Sequence, residues 1–135
     1  MKRAFPYIIS VIFAGFLIYS CDDTLTASDI DNKIIPDSDV SYGEYIQPLL
    51  TVKCAMSGCH DSSTQAAGVI LTSWGFVTSD YSIVAPYYPA NSKLVWAIEG
   101  NGAKTMPPLG GSITPMTDNQ IKGIKTWIKE GAKNN

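Results

Sequence analysis

Apolar residues run almost unbroken from Ala4 to Tyr19, behind a short basic start at Lys2 and Arg3 and with no charge inside the run. That layout predicts a secretory signal, not an element of a folded domain. Cys21 to Val40 reads differently: it is polar and acidic, rich in Thr, Ser, Asp and Asn, and broken by Pro36. No helical or alternating period lasts there, so the pattern predicts a flexible acidic tether over residues 21–40. From Ser41 a period appears. Ser41-Tyr42-Gly43-Glu44 fits a capping box, and Tyr45, Ile46, Leu49 and Leu50 follow at helical spacing. Pro48 falls inside this pattern and should kink or shorten the helix. Asp61 to Tyr88 has only short apolar runs, Val69-Ile70-Leu71 and Ile83-Val84, between Gly, Pro, Ser and Thr, and predicts loops. Asn91 or Ser92 opens a short helix with Leu94, Val95 and Ile98 inward and Gly100 at its end. Asn101 to Pro115 is a long connection rich in Gly and Pro. Thr117-Asp118-Asn119-Gln120 is a second capping box, and the helix it opens carries Ile121, Ile124, Trp127 and Ile128 on one face, with Gly131 just past its end. The chain thus predicts one domain over residues 41–135, a few short helices joined by loops with short extended pieces, and no internal repeat.

Composition adds the compartment. Ile18-Tyr19-Ser20-Cys21 resembles a bacterial lipobox, with an aliphatic residue three before the Cys and a small one just before it. The resemblance implies a signal peptide over residues 1–20 and a lipid on Cys21, the first residue of the mature chain. An uncleaved anchor is the alternative, although the apolar run falls short of the ~20 residues that usually span a bilayer. Either way the domain stands outside the cytoplasm, on the periplasmic side or at the cell surface. Removing residues 1–20 takes Lys2 and Arg3 from the ten basic residues, so eight face twelve acids and the net charge is −4. Most of the excess acid precedes Thr51. Beyond it, seven lysines face five acids, and no arginine follows Arg3. Nothing here offers nucleic acid a dense basic patch. A faintly basic rim suits an acidic redox partner or plain solvation.

The chemistry concentrates at Cys54-Ala55-Met56-Ser57-Gly58-Cys59-His60, which holds the single histidine of the chain and two of its three cysteines. Two thiols followed at once by an imidazole suit covalent haem: each thiol adds across a vinyl group, and the adjacent His ligates the iron. The usual spacing is C-x-x-C-H; here four residues separate the thiols. With no second His, a sixth ligand would be a methionine. Met1 leaves with the signal and Met56 lies within the covalent loop. Of Met106 and Met116, Met106 is the better placed, in a long loop braced by Pro107 and Pro108, while Met116 lies against a helix start. Two other readings of the cysteines stay open. Cys54 and Cys59 can close a disulfide, leaving a haem-free binding lipoprotein, or a haem lacking the methionine ligand can sense a gas or redox state. Zinc is poorly served by three ligands. No cluster of acid–base groups suggests an enzyme.

In order along the chain stand Ile46-Gln47-Pro48-Leu49-Leu50, the Cys54–His60 motif, Gly68-Val69-Ile70-Leu71, Pro89-Ala90-Asn91-Ser92-Lys93-Leu94, Met106-Pro107-Pro108, and Ile124-Lys125-Thr126-Trp127-Ile128-Lys129-Glu130-Gly131-Ala132. This order resembles the small monohaem cytochrome c domains of the Planctomycete-type group and their relatives in lipoproteins of Bacteroidetes-like bacteria. The resemblance implies an all-α, class I-like cytochrome c fold, one haem c on Cys54 and Cys59, His60 and Met106 as axial ligands, and one-electron exchange with protein partners.

Overall fold

The computed structural model describes residues 25–102 and 104–135. The signal segment 1–20 and Cys21 lie outside them. The described residues are helical, with no strand among them. In chain order they are α1 (Ala27–Asn32), a π-helical turn (Tyr42–Ile46) that runs into α2 (Gln47–Lys53), a 3-10 turn (Ala66–Gly68), α3 (Trp74–Val77), a second 3-10 turn (Pro89–Asn91), α4 (Lys93–Ile98) and α5 (Asp118–Lys129).

Residues 25–40 are not a free tether. Thr26 caps α1 with both halves of a capping box: its Oγ1 accepts from the Asp29 N–H, and its own N–H donates to the Asp29 carboxylate at 2.9 Å. Ile30, Ile35 and Val40 are buried in the main core. The extended stretch between them is stitched along α5. Asn119 accepts from the Ile35 N–H at 2.9 Å and donates to the Ile35 carbonyl at 3.0 Å, and the Glu130 carboxylate accepts from the N–H groups of Asp39 and Val40. Gly123 marks how closely the two segments pass. A Cβ there would lie 2.6 to 3.0 Å from side-chain atoms of Ile35, inside any real contact distance. The correction to the sequence reading has a physical cause. The backbone groups of Ile35, Asp39 and Val40 find their partners on Asn119 and Glu130, far along the chain, and local composition does not reveal those partners.

The start of α2 follows from Pro48. Proline has no N–H to offer the carbonyl four residues back, Glu44, and its ring disfavours a regular helix there. The chain takes a π turn before it, with Ser41 Oγ accepting from the Glu44 N–H. The orphaned Glu44 carbonyl accepts instead from Lys33 Nζ at 2.8 Å. α5 forms as the sequence predicts. Thr117 and Gln120 complete the capping box, Ile124, Trp127 and Ile128 are fully buried, and Gly131 takes φ +101° at the helix end. Trp127 packs its ring 5.2 Å from that of Tyr42 and donates its indole N–H to the Lys133 carbonyl. Leu94, Val95 and Ile98 of α4 point inward. Ser92 stands at the start of α4, yet its side chain does not cap that helix. Its Oγ accepts from the Ala85 N–H and donates to the Tyr88 carbonyl, pinning the preceding loop. α3 was not anticipated, since four residues are too few for a helical period to show.

Candidate functional site: a cavity joining Cys54, His60 and Met106

α2 ends at Cys54, whose N–H still bonds the Leu50 carbonyl at 2.9 Å. The thiol is 7% exposed, and burial pushes it up to about 12. A thiol so placed stays protonated at neutral pH. The four residues before Cys59 are absorbed in a tight turn. The Cys59 N–H bonds the Met56 carbonyl at 2.9 Å, and Gly58 occupies φ +84°, a conformation that glycine takes without strain. The His60 N–H then bonds the Cys54 carbonyl at 3.1 Å and closes the loop, so the longer spacer still returns His60 beside Cys54. Cys59 is half-buried on this turn and is not among the residues lining the cavity. It is not joined to Cys54.

The turn after His60 is held by Asp61, which accepts from the Thr64 N–H at 2.8 Å and from Ser63 Oγ at 2.6 Å. Hydrogen bonds from Ser63 and Thr64 keep its carboxyl below the usual range. The chain doubles back so that the Leu71 N–H bonds the His60 carbonyl at 2.9 Å and the Val69 carbonyl oxygen lies 3.3 Å from His60 Nδ1. A carbonyl only accepts, so Nδ1 is the donor in this contact, and Nε2 is the nitrogen left free to face a ligand. This is the tautomer of a histidine that ligates a metal through Nε2, with its second nitrogen oriented by a backbone oxygen.

Met106 reaches the same place from the other side of the chain. The Asn101 and Gly102 N–H groups fold back on the Trp96 carbonyl, and the Met106 N–H bonds the Ala97 carbonyl at 2.9 Å. Met106 is half-buried. Met116 is buried in the main core and does not line the cavity. Met56 is exposed.

Cys54, His60 and Met106 line one cavity of about 540 Å³. Its other walls are mainly apolar: Val69, Leu71, Ile83, Leu94, Trp96, Ala97 and Ile98. Among the described residues, Lys93 and Lys104 are the charged side chains on it. The volume lies in the range of about 300–1,000 Å³ usual for small-molecule and cofactor sites, and so does an apolar lining with a few convergent polar groups. A groove of about 360 Å³ along the outer side of α5 is lined by Lys122, Lys125 and Lys129 and contains no thiol, imidazole or thioether. Of the aromatics that the composition offers as walls, Trp96 lines the cavity while Trp127 belongs to the core. Sequence reasoning missed the role of the Val69 carbonyl. A backbone group leaves no mark in side-chain patterns, and only the glycine before it, Gly68 at φ +74°, signals the turn that brings it there. It also missed Ile83, Leu94 and Ile98 as cavity walls, because apolar residues at helical or loop positions read equally well as ordinary core. Compared with known proteins, the chain matches no family model, no curated protein and no solved structure.

Proposed function

We propose that this chain is a monohaem c-type cytochrome of the cell envelope, a one-electron carrier with a class I-like cytochrome c fold. The observation that carries the reading is the single cavity that collects Cys54, His60 and Met106, three residues from two segments far apart in sequence. In this reading Cys54 and Cys59 would hold the haem covalently, each S–H adding across one vinyl group with a C–S and a C–H bond formed. His60 offers Nε2 to the iron, with the Val69 carbonyl holding the ring and raising its basicity. Met106 offers a soft thioether, which favours the ferrous state. Bound haem supplies a reversible one-electron iron couple. The protein side of the work would be to exclude water with Val69, Leu71, Ile83, Leu94 and Ile98 and to hold the His60 and Met106 side chains at fixed positions.

The test is direct. Expressed with a c-type maturation system, the purified domain should be red, exceed its polypeptide mass by one haem, and keep that haem on a denaturing gel. Because Cys54 stands in the cavity wall and Cys59 beside it, Cys54→Ser should lose covalent haem more completely than Cys59→Ser. A colourless protein two hydrogens lighter than the reduced chain means a disulfide and overturns the proposal.

The reading includes a lipid anchor on Cys21, carried by the Ile18–Cys21 sequence. It places the protein at the membrane, on the periplasmic side or at the cell surface, with protein redox partners. Cys21→Ser should leave an unprocessed precursor or release the domain from the membrane fraction. Normal processing and membrane retention of that variant would refute lipidation.

A further inference from the structure

We propose that Lys53 is the positioning residue for the sixth ligand: its ammonium fastens the downstream half of the Met106 loop to the helix that ends in Cys54. The inference rests on the haem reading above. Lys53 is the last residue of α2, and its side chain is 0% exposed. Lysine is almost never buried in this way unless its charge is paired and its protons are used. Here Nζ donates to Thr114 Oγ1 at 3.0 Å, to the Thr114 carbonyl at 3.3 Å and to the Pro115 carbonyl at 3.0 Å, and it pairs with Asp31 Oδ1 at 2.6 Å. Asp31 is satisfied in turn by Gln120 Nε2 at 3.0 Å and by the Thr114 hydroxyl at 2.9 Å. Burial pushes the Asp31 carboxyl up, but the hydrogen bonds from Lys53, Gln120 and Thr114 and the Lys53 charge outweigh it, and the group stays below the usual carboxylate range.

The position of this knot matters more than its strength. Between the end of α4 and the start of α5, nearly twenty positions, the described residues form no helix or strand, and positions 108–112 are exposed. Upstream, the loop is fixed by the bond from the Met106 N–H to the Ala97 carbonyl. Downstream of Met106, among the described residues, the first hydrogen bonds that leave the loop for another element are those that Thr114 and Pro115 make with Lys53 and Asp31. The tie moves the downstream anchor of the loop forward from the buried Met116 and the α5 cap at Thr117 to Thr114, so less of the ordering is left for a weak thioether–iron bond to supply. Of the three loop acceptors two are backbone carbonyls and the third is the Thr114 hydroxyl, so the tie needs a donor of lysine's length on α2 and is indifferent to the side chain at position 115.

The experiment compares Lys53→Met and the double variant Asp31→Asn/Lys53→Met with the parent, each as the full chain carrying its haem. The double variant leaves no buried charge unpaired, a replacement that proteins tolerate well, so it keeps the test decisive if the single variant fails to fold. Both should retain the full haem mass, because Cys54, Cys59 and His60 are untouched. Both should show a weakened thioether-to-iron charge-transfer band. Carbon monoxide should bind their ferrous forms about tenfold faster or more, the ratio corresponding to ~1.4 kcal/mol of lost loop ordering. If both load haem and keep the parent's band and carbon monoxide rate, Lys53 is only a paired buried charge and the proposal fails. A band lost in the single variant and restored in the double one would also overturn it, by assigning the effect to charge balance. A parent that takes up no haem refutes the underlying reading and is distinguishable from both.

Discussion

If the proposed haem is bound, Met106→Ala should abolish the thioether-to-iron charge-transfer band, lower the reduction potential and open the ferrous iron to carbon monoxide. The expectation follows from where the two candidate methionines stand. Met106 lines the cavity with Cys54 and His60, while Met116 is buried among core side chains. A thioether stabilises Fe(II) over Fe(III), so removing it favours the oxidised state and the potential must fall. Met116→Leu should leave spectrum and potential in place and cost under ~1.5 kcal/mol, because it swaps one apolar side chain for another of similar volume. Redox titration and carbon monoxide difference spectra of the two variants check this. The opposite pattern would make Met116 the ligand. A parent protein whose ferrous form already binds carbon monoxide readily would favour the gas-sensor reading over the carrier.

Truncation to residues 41–135 should lower Tm by more than ~12 °C relative to the mature chain, on the basis of at least ~3 kcal/mol lost and 4–8 °C per kcal/mol for a domain of this size. The loss has two sources. Ile30, Ile35 and Val40 leave the core and uncover the apolar face of α5. Lys53 loses Asp31, its anionic partner. Removing one member of a buried pair costs about 3–5 kcal/mol, and the lower end applies because the Asp31 side chain is 26% exposed. Thermal melts of the two proteins, each with its haem, decide the matter. Asp31→Ala isolates the second source and should recover part of the loss. Coincident melts would show that residues 25–40 add nothing to the domain.

What the sequence determined by itself was local. Thr117 and Gln120 lie three residues apart, and Ile124, Trp127 and Ile128 share one face, so α5 and its cap could be read from adjacent positions. Leu94, Val95 and Ile98 likewise revealed α4. The chemistry-bearing cluster from Cys54 to His60 is contiguous, and its residue types alone suggest what it can hold. What only the tertiary structure decided was which distant groups meet. Ile30, Ile35 and Val40 recur every fifth residue, which matches neither a helical nor a strand period, and the backbone N–H and carbonyl groups of Ile35, Asp39 and Val40 have no sequence-visible partner until Asn119 and Glu130 arrive from the far end of the chain. Lys53 looks like a surface cation at the end of a helix until Asp31, Thr114 and Pro115 close around it. Val69, Ile83 and Ile98 look like core until the fold leaves a cavity between them. The physical reason is common to all three. An apolar pattern records that a side chain leaves water, and a polar residue records that it needs a partner, but the identity of the neighbour is set by packing between segments far apart along the chain.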